Sequence, residues 1–172
     1  MLIEIIMKTI QIKKQKDLQE RISMGKIPDF LFEYLNQIKM INILFLNKSE
    51  DQINNQYIIN KKYLIREINA KIAAYRNQDK CKNKYNNNNI EYDEMIEKLM
   101  ISKLKCHYCR CKLNLFYKLS RDPQQWTLDR IDNRKPHELD NVVISCLECN
   151  LKRRTTNKDK FLFTKQLKIV KE

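Results

Sequence analysis

Residues 126–154 read WTLDRIDNRKPHELDNVVISCLECNLKRR, and this stretch decides the fold. Trp126 to Ile131 is rich in aromatic and β-branched residues and predicts a strand. Asp132 to Glu138 is polar, contains Pro136 and predicts a connection, after which Asn141 to Ser145 predicts a second strand. From Leu147 the run Leu-Glu-Cys-Asn-Leu-Lys-Arg-Arg predicts the start of a helix that carries Cys149 and Asn150 at adjacent positions. The expected unit is therefore strand, loop, strand, helix.

Working outward, the stretch holds the second of two paired cysteines. Cys106 and Cys109 form one C-x-x-C turn and Cys146 and Cys149 another. Two such turns supply the closed tetrahedral sulfur set that Zn²⁺ prefers in a structural role. Disulfides and buried free thiols are the competing readings; the first suits a secretory chain and the second does not call for doubled spacing. Thirty-six residues lie between Cys109 and Cys146, more than the roughly 15–20 of a compact zinc ribbon, so the strand pair is built inside that interval. Cys111 and Cys81 fall outside the pattern and read as spare thiols.

Upstream of the cysteines the pattern is helical. Apolar residues recur at three-to-four spacing in Ile27, Phe30, Leu31, Tyr34, Leu35 and Ile38, behind Pro28, and again in Ile59, Tyr63, Leu64, Ile68 and Ile72, predicting amphipathic helices. Asn47 to Asn55 reads as a loop, and the first dozen residues as either strand or helix. Asn77 to Asn89 contains four consecutive Asn and little to bury, which predicts a linker or long loop. A short helix follows, with Ile96, Leu99, Met100 and Leu104 on one face and Glu91, Asp93 and Glu94 near its start, where the helix dipole favours them.

Composition narrows the class. The 172 residues carry 34 Lys+Arg against 21 Asp+Glu, a net charge of +13, with one Gly and three Pro. So few turn-forming residues exclude a collagen-like or Gly/Pro-rich disordered chain. The most apolar stretches, Leu2 to Ile6 and Ile38 to Leu46, fall far short of the roughly 20 residues of a membrane span. Met1 to Ile10 lacks the marks of a secretory signal, so the expected setting is intracellular, nucleus or cytoplasm, with no membrane partner. A basic surface is the electrostatic footprint of phosphate binding, and equally a means to solubility.

The set Cys106-x-x-Cys109, Leu128-Asp129-Arg130-Ile131-Asp132, Asp140-Asn141-Val142, Cys146-x-x-Cys149-Asn150 and Lys152 resembles the HNH endonucleases that carry a four-cysteine zinc, in particular those of large DNA viruses, which have a similar stretch to Gln125–Asp132. The resemblance covers about Lys105 to Thr156. It implies a ββα-metal unit that binds one divalent cation and hydrolyses phosphodiester bonds in DNA, RNA being a second possible partner, with a separate structural Zn²⁺ on the four cysteines. Position by position, it makes Asp129 the acidic metal ligand at the end of the first strand, Asn141 the residue that ties down the loop, and Asn150 the helix residue facing the metal. An oxygen pair from Asp129 and Asn150 suits a hard cation such as Mg²⁺.

One position departs from the family. Arg130 stands where the family has its general-base His, and a guanidinium does not deprotonate in a protein. Three outcomes follow: Arg130 clamps the scissile phosphate while metal-bound water attacks; His137, in the loop, acts as the base; or the site binds without cutting. A loop His beside Pro136 is also commonly a packing residue, and His107, between two ligand cysteines, reads as knuckle surface. Trp126, Phe161 and Phe163 read as core, with base stacking as the alternative.

Lys152, Arg153 and Arg154 abut the expected site and read as nucleic-acid-binding residues that fix register on phosphates, against the alternative of a solvated helix end. Lys61, Lys62, Arg66 and Lys71 read as a solvated face. The expected architecture is α+β: a helical region at 1–77, an Asn-rich linker at 78–92, and an HNH-like zinc-bearing domain with a basic tail at 93–172. The rival function is a non-catalytic zinc module that binds nucleic acid on the same scaffold.

Overall fold

The computed structural model describes residues 27–47 and 54–167. The expectations for the first dozen residues, and for most of the loop at 47–55, lie outside these. Among the described residues the fold is α+β, with five α-helices and one two-stranded antiparallel sheet. Helix α1 spans Tyr34–Phe45, α2 Asn55–Cys81, α3 Tyr92–Ser102, α4 Leu147–Arg153 and α5 Lys158–Gln166; strands β1 and β2 are Trp126–Arg130 and Val142–Cys146.

Each element follows from its local chemistry. Pro28 precedes a short 3-10 turn at Asp29–Phe32 that leads into α1. The acidic residues expected at the start of α3 close a capping box, Glu91 and Glu94 each accepting from the other's backbone N–H, which satisfies two donors the helix cannot pair internally. Beyond α3, Lys103 and Leu104 both take left-handed backbone angles, and the chain turns into the first cysteine pair. The strands pair in register from Trp126↔Cys146 to Arg130↔Val142, one residue beyond the expected second strand.

One buried cluster runs from Ile27 and Leu31 through Leu64, Ile68, Met95, Leu99 and Tyr108 to Trp126 and Phe161. The helical region and the strand pair therefore share a core. Gln37, buried in α1, joins them further: its Oε1 accepts from the backbone N–H groups of Leu115 and Phe116, and its Nε2 donates to the Phe32 carbonyl at 2.9 Å.

The expected linker needs correction. Helix α2 continues to Cys81, so the 77/78 boundary falls inside it, and Asp79 and Asn89 are buried. The reason is packing: α2 covers the open edge of β1. Lys71 Nζ donates to the Trp126 carbonyl, the Leu128 N–H donates to the Tyr75 hydroxyl at 3.0 Å, and Arg130 reaches Asp79 at 3.3 Å. Four residues of helix rise about 6 Å and two residues of strand about 6.6 Å. The stripe Lys71, Tyr75, Asp79 thus keeps step with Trp126, Leu128, Arg130, and an edge that would otherwise invite another strand is closed. Lys71, expected on a solvated face, also lies 4.2 Å from the Trp126 ring centroid. Trp126 and Phe161 are core as expected; Phe163 is 64% exposed and is not.

Candidate functional site

The four cysteines come together. Cys106 and Cys109 sit on the turn after α3, Cys146 ends β2 and caps α4, and Cys149 lies in the first turn of α4. Their sulfurs lie within 4.8 Å of one another, a set that can hold a metal ion. The Cys109–Cys146 sulfur separation of 3.9 Å is close to the edge of about 3.8 Å that follows from a tetrahedron of Zn–S bonds. The hydrogen bond with the Cys146 thiol draws Cys106 below the ordinary thiol value, while burial pushes Cys149 above it. The turn is tied to the sheet by the His107 N–H, which donates to the Ile144 carbonyl at 2.9 Å. His107 is therefore half-buried and packed edge-on against Tyr108, at 5.0 Å, rather than lying on the knuckle surface. Cys81 stands outside the cluster; Cys111 is not one of the four, but its thiol lies against those of Cys109 and Cys146.

Adjacent residues of β1 enter different networks. Asp129 meets α4: Arg153 Nε and Nη2 contact its two oxygens at 2.5 and 2.7 Å, and the Tyr108 hydroxyl donates to Oδ2 at 2.6 Å. Burial, followed by this hydrogen bond, pushes the Tyr108 phenol above its ordinary range. Burial works against the charge on Arg153, but the Asp129 carboxylate holds its guanidinium above its ordinary value. Arg153 also donates to the carbonyls of Arg130 and Thr156. Asn150 donates through Nδ2 to Thr127 Oγ1 and the Leu128 carbonyl at 3.1 and 2.9 Å, which leaves its carbonyl oxygen outside these bonds.

These contacts test the divalent-cation expectation and do not fit it. A carboxylate offers about four lone-pair directions, and three at Asp129 are taken by a bidentate guanidinium and a phenol. Arg153 lies against the carboxylate, and a second cation would face its guanidinium directly. Arg153 is correspondingly not a surface phosphate ligand. Its position three residues beyond Asn150 puts both on the helix face toward β1, whereas Lys152 is exposed and paired with Glu148 and Arg154 is exposed at the rim.

Arg130 enters the second network. The Asp79 carboxylate is wholly buried and accepts from the His137 N–H at 2.8 Å, His137 Nδ1 at 2.9 Å, Asn89 Nδ2 at 2.8 Å and Arg130 Nη1 at 3.3 Å. Tyr75 stacks on the His137 ring at a centroid distance of 4.7 Å. Burial, with help from Arg130 and Lys82, holds the His137 pKa below the ordinary imidazole value against the opposing pull of Asp79. Asn141 braces the loop that carries His137, donating to the Asp132 and Pro136 carbonyls and accepting from the Asp132 N–H.

This second network opens on a cavity of about 730 Å³ between α2, β1 and α4. Lys71, Lys82, Lys84, Arg130 and Arg154 line it, with His137, Asn150 and Asp129. Asp129 is paired with Arg153 and Arg130 with Asp79, so Lys71, Lys82, Lys84 and Arg154 give the lining its net positive charge. Among the sequence-predicted residues, Asp129, Arg130, His137, Asn150 and Arg154 meet here; Lys152 and Arg153 are not among the lining residues. Sequence reading missed Tyr75 and Asp79, whose spacing of four and eight from Lys71 was the available signal. No helix among the described residues is long and apolar enough to cross a membrane. Comparison with protein-family models, curated proteins and solved structures finds no match to this chain.

Proposed function

We propose that the chain binds nucleic acid by its phosphate backbone in the cleft between α2 and the strand pair, and hydrolyses a phosphodiester bond of DNA there, as the HNH resemblance implies, with Zn²⁺ on Cys106, Cys109, Cys146 and Cys149 as structural metal. The observation that carries this is the convergence of five cationic side chains on one cavity also lined by His137, whose ring is held from behind by the buried Asp79 carboxylate. Cationic side chains at phosphates position a polyanion without reading its sequence. A four-thiolate donor set suits zinc rather than a hard cation.

Within the cleft, Arg130 and Lys84 are the donors for the non-bridging phosphate oxygens, where negative charge accumulates as the phosphoryl group reacts. His137 Nε2 is the base: it takes a proton from water as the water oxygen bonds to phosphorus. The P–O ester bond breaks with its electron pair on the sugar oxygen, which takes a proton from solvent. No divalent cation is assigned to Asp129, and the step does not pass through one. Asp129→Ala, expected from the resemblance to remove activity alone, is expected here to damage the fold.

The second reading, binding without cutting, is favoured by the bidentate Asp129–Arg153 pair, which removes the family's metal ligand. Incubating zinc-loaded protein with supercoiled plasmid in Mg²⁺ or Mn²⁺, beside His137→Ala, separates the two. Nicked or linear product from the unmodified protein only supports hydrolysis. No product, with plasmid retained in a low-salt gel shift, leaves the binding module; no retention at all overturns both.

A further inference from the structure

We propose that Asp79 is the positioning residue of this cleft: its carboxylate holds His137 with Nδ1 protonated and Nε2 presented to the cavity as a proton acceptor, and holds Arg130 beside it. The inference rests on the cleft reading above and deepens it, because no motif of the chain points to Asp79.

Asp79 sits in the last turn of α2 with no solvent exposure, and each group around its carboxylate donates to it. His137 contributes two of these donors, its backbone N–H and Nδ1, so the residue is held at both ends. Because the ring faces acceptor oxygens through Nδ1, that nitrogen carries the hydrogen. In a neutral imidazole the other nitrogen then has the free lone pair. His137 lines the cavity, and no described residue engages its Nε2. Tyr75, four residues before Asp79 on α2, stacks on the ring and limits its rotation.

The charges facing His137 agree with this role. From α2 and the residue just after it come Asp79, Tyr75 and Lys82, and from β1 comes Arg130; burial and the two cations lower the ring's pKa against the opposing pull of Asp79. A neutral imidazole with a fixed tautomer is what a base acting near pH 7 requires. When water gives up its proton to Nε2, the resulting imidazolium lies against the Asp79 carboxylate, and its proton returns to solvent after the ester bond has broken. Asp79 touches neither phosphate nor water in this scheme; it acts through His137 and Arg130.

The chain has two histidines, which makes the test readable. Full-length zinc-loaded protein labelled with ¹⁵N-histidine reports each tautomer in long-range ¹H–¹⁵N spectra, and a fluorescent DNA duplex reports kcat and KM. The expected result is a single Nδ1–H tautomer at His137 in the unmodified protein. Asp79→Asn, whose amide can donate as well as accept, is expected to mix the tautomers, lower kcat by about 100-fold or more with little change in KM, and move the acid limb of the pH profile. Asp79→Glu is expected to restore part of both. An Nε2–H tautomer in the unmodified protein overturns the proposal, and needs no variant to fold. So does a folded Asp79→Asn protein with an unchanged tautomer and undiminished kcat. If the unmodified protein does not cut, a tautomer locked in it and released in Asp79→Asn still supports the role of Asp79, while the hydrolytic reading falls.

Discussion

The two networks anchored on β1 carry the same kinds of residue and do different work. In one, Asp129 and Arg153 form a bidentate pair, capped by Tyr108. In the other, Asp79 holds Arg130 and His137 at the wall of a cationic cavity. The adjacent residues Asp129 and Arg130 both line that cavity, yet they pair with different elements, Asp129 with Arg153 of α4 and Arg130 with Asp79 of α2. Proximity in a motif is thus no guide to partnership. The Asp129–Arg153 pair is a brace that fixes α4 on the strand, and the cationic residues around Arg130 and His137 are where an anion can bind.

The largest way to break this comparison is to remove what both networks share. Cys146 pairs with Trp126, caps α4 and belongs to the sulfur cluster. Apparent zinc binding by structural cysteine sites is worth on the order of 10 kcal/mol or more. Cys146→Ser is expected to abolish stoichiometric zinc in elemental analysis and to collapse amide-exchange protection across residues 126–153, in both networks at once. Full zinc content in that variant would remove Cys146 from the ligand set.

The next test separates the networks. Removing one member of a buried ion pair costs about 3–5 kcal/mol because the other charge is left unpaired. Asp129→Ala is therefore expected to lower unfolding stability by about that amount in denaturant titrations, with zinc retained. Asp129→Leu combined with Arg153→Met is expected to recover most of it. A metal ligand would behave oppositely, losing activity while leaving stability nearly unchanged.

How much of this was legible in the sequence follows the same division. The cysteine cluster and the strand pair were readable because their geometry is local: C-x-x-C brings two sulfurs to one point, and β1 and β2 lie within a residue of the expected spans. The Asn141 brace is local too, spanning one loop. Arg153 was misplaced among the phosphate contacts because a basic triplet was read as a patch, although its spacing from Asn150 turns it inward. Asp79 was hidden for a different reason. Asn-rich surroundings made residues 77–89 look like a connection, and the role of Asp79 exists only once α2 is laid along the edge of β1.

A smaller effect sharpens the reading of the His137 network. The His137 pKa is held below the ordinary value of about 6.5, mainly by burial, with Asp79, Tyr75, Lys82 and Arg130 facing the ring. The unfolded chain therefore binds a proton that the folded chain resists, and stability rises with pH in that window. The contribution is fully present above the unfolded value and is lost as pH falls through it toward the lower folded value. His137→Gln is expected to flatten the stability profile between about pH 7 and pH 5 relative to the unmodified protein. An identical slope in both would show that His137 is not the titrating group.

The smallest expected effect concerns the rim, where Lys152 and Arg154 are exposed neighbours of the buried Arg153. Arg154 lines the cavity, whereas Lys152 is held by Glu148 one helical turn away. Each cation that meets a phosphate adds about one counterion to those released, so its loss lowers the salt slope of log K by about 0.9 on duplex DNA. Arg154→Gln is expected to reduce that slope by about one and to weaken binding evenly across sequences, with Lys152→Gln smaller. Equal slopes for the two variants would mean that the DNA runs over the outer face of α4 and not through the cleft. The cavity would then be a pocket beside the nucleic-acid path, and His137 would have no phosphate within reach.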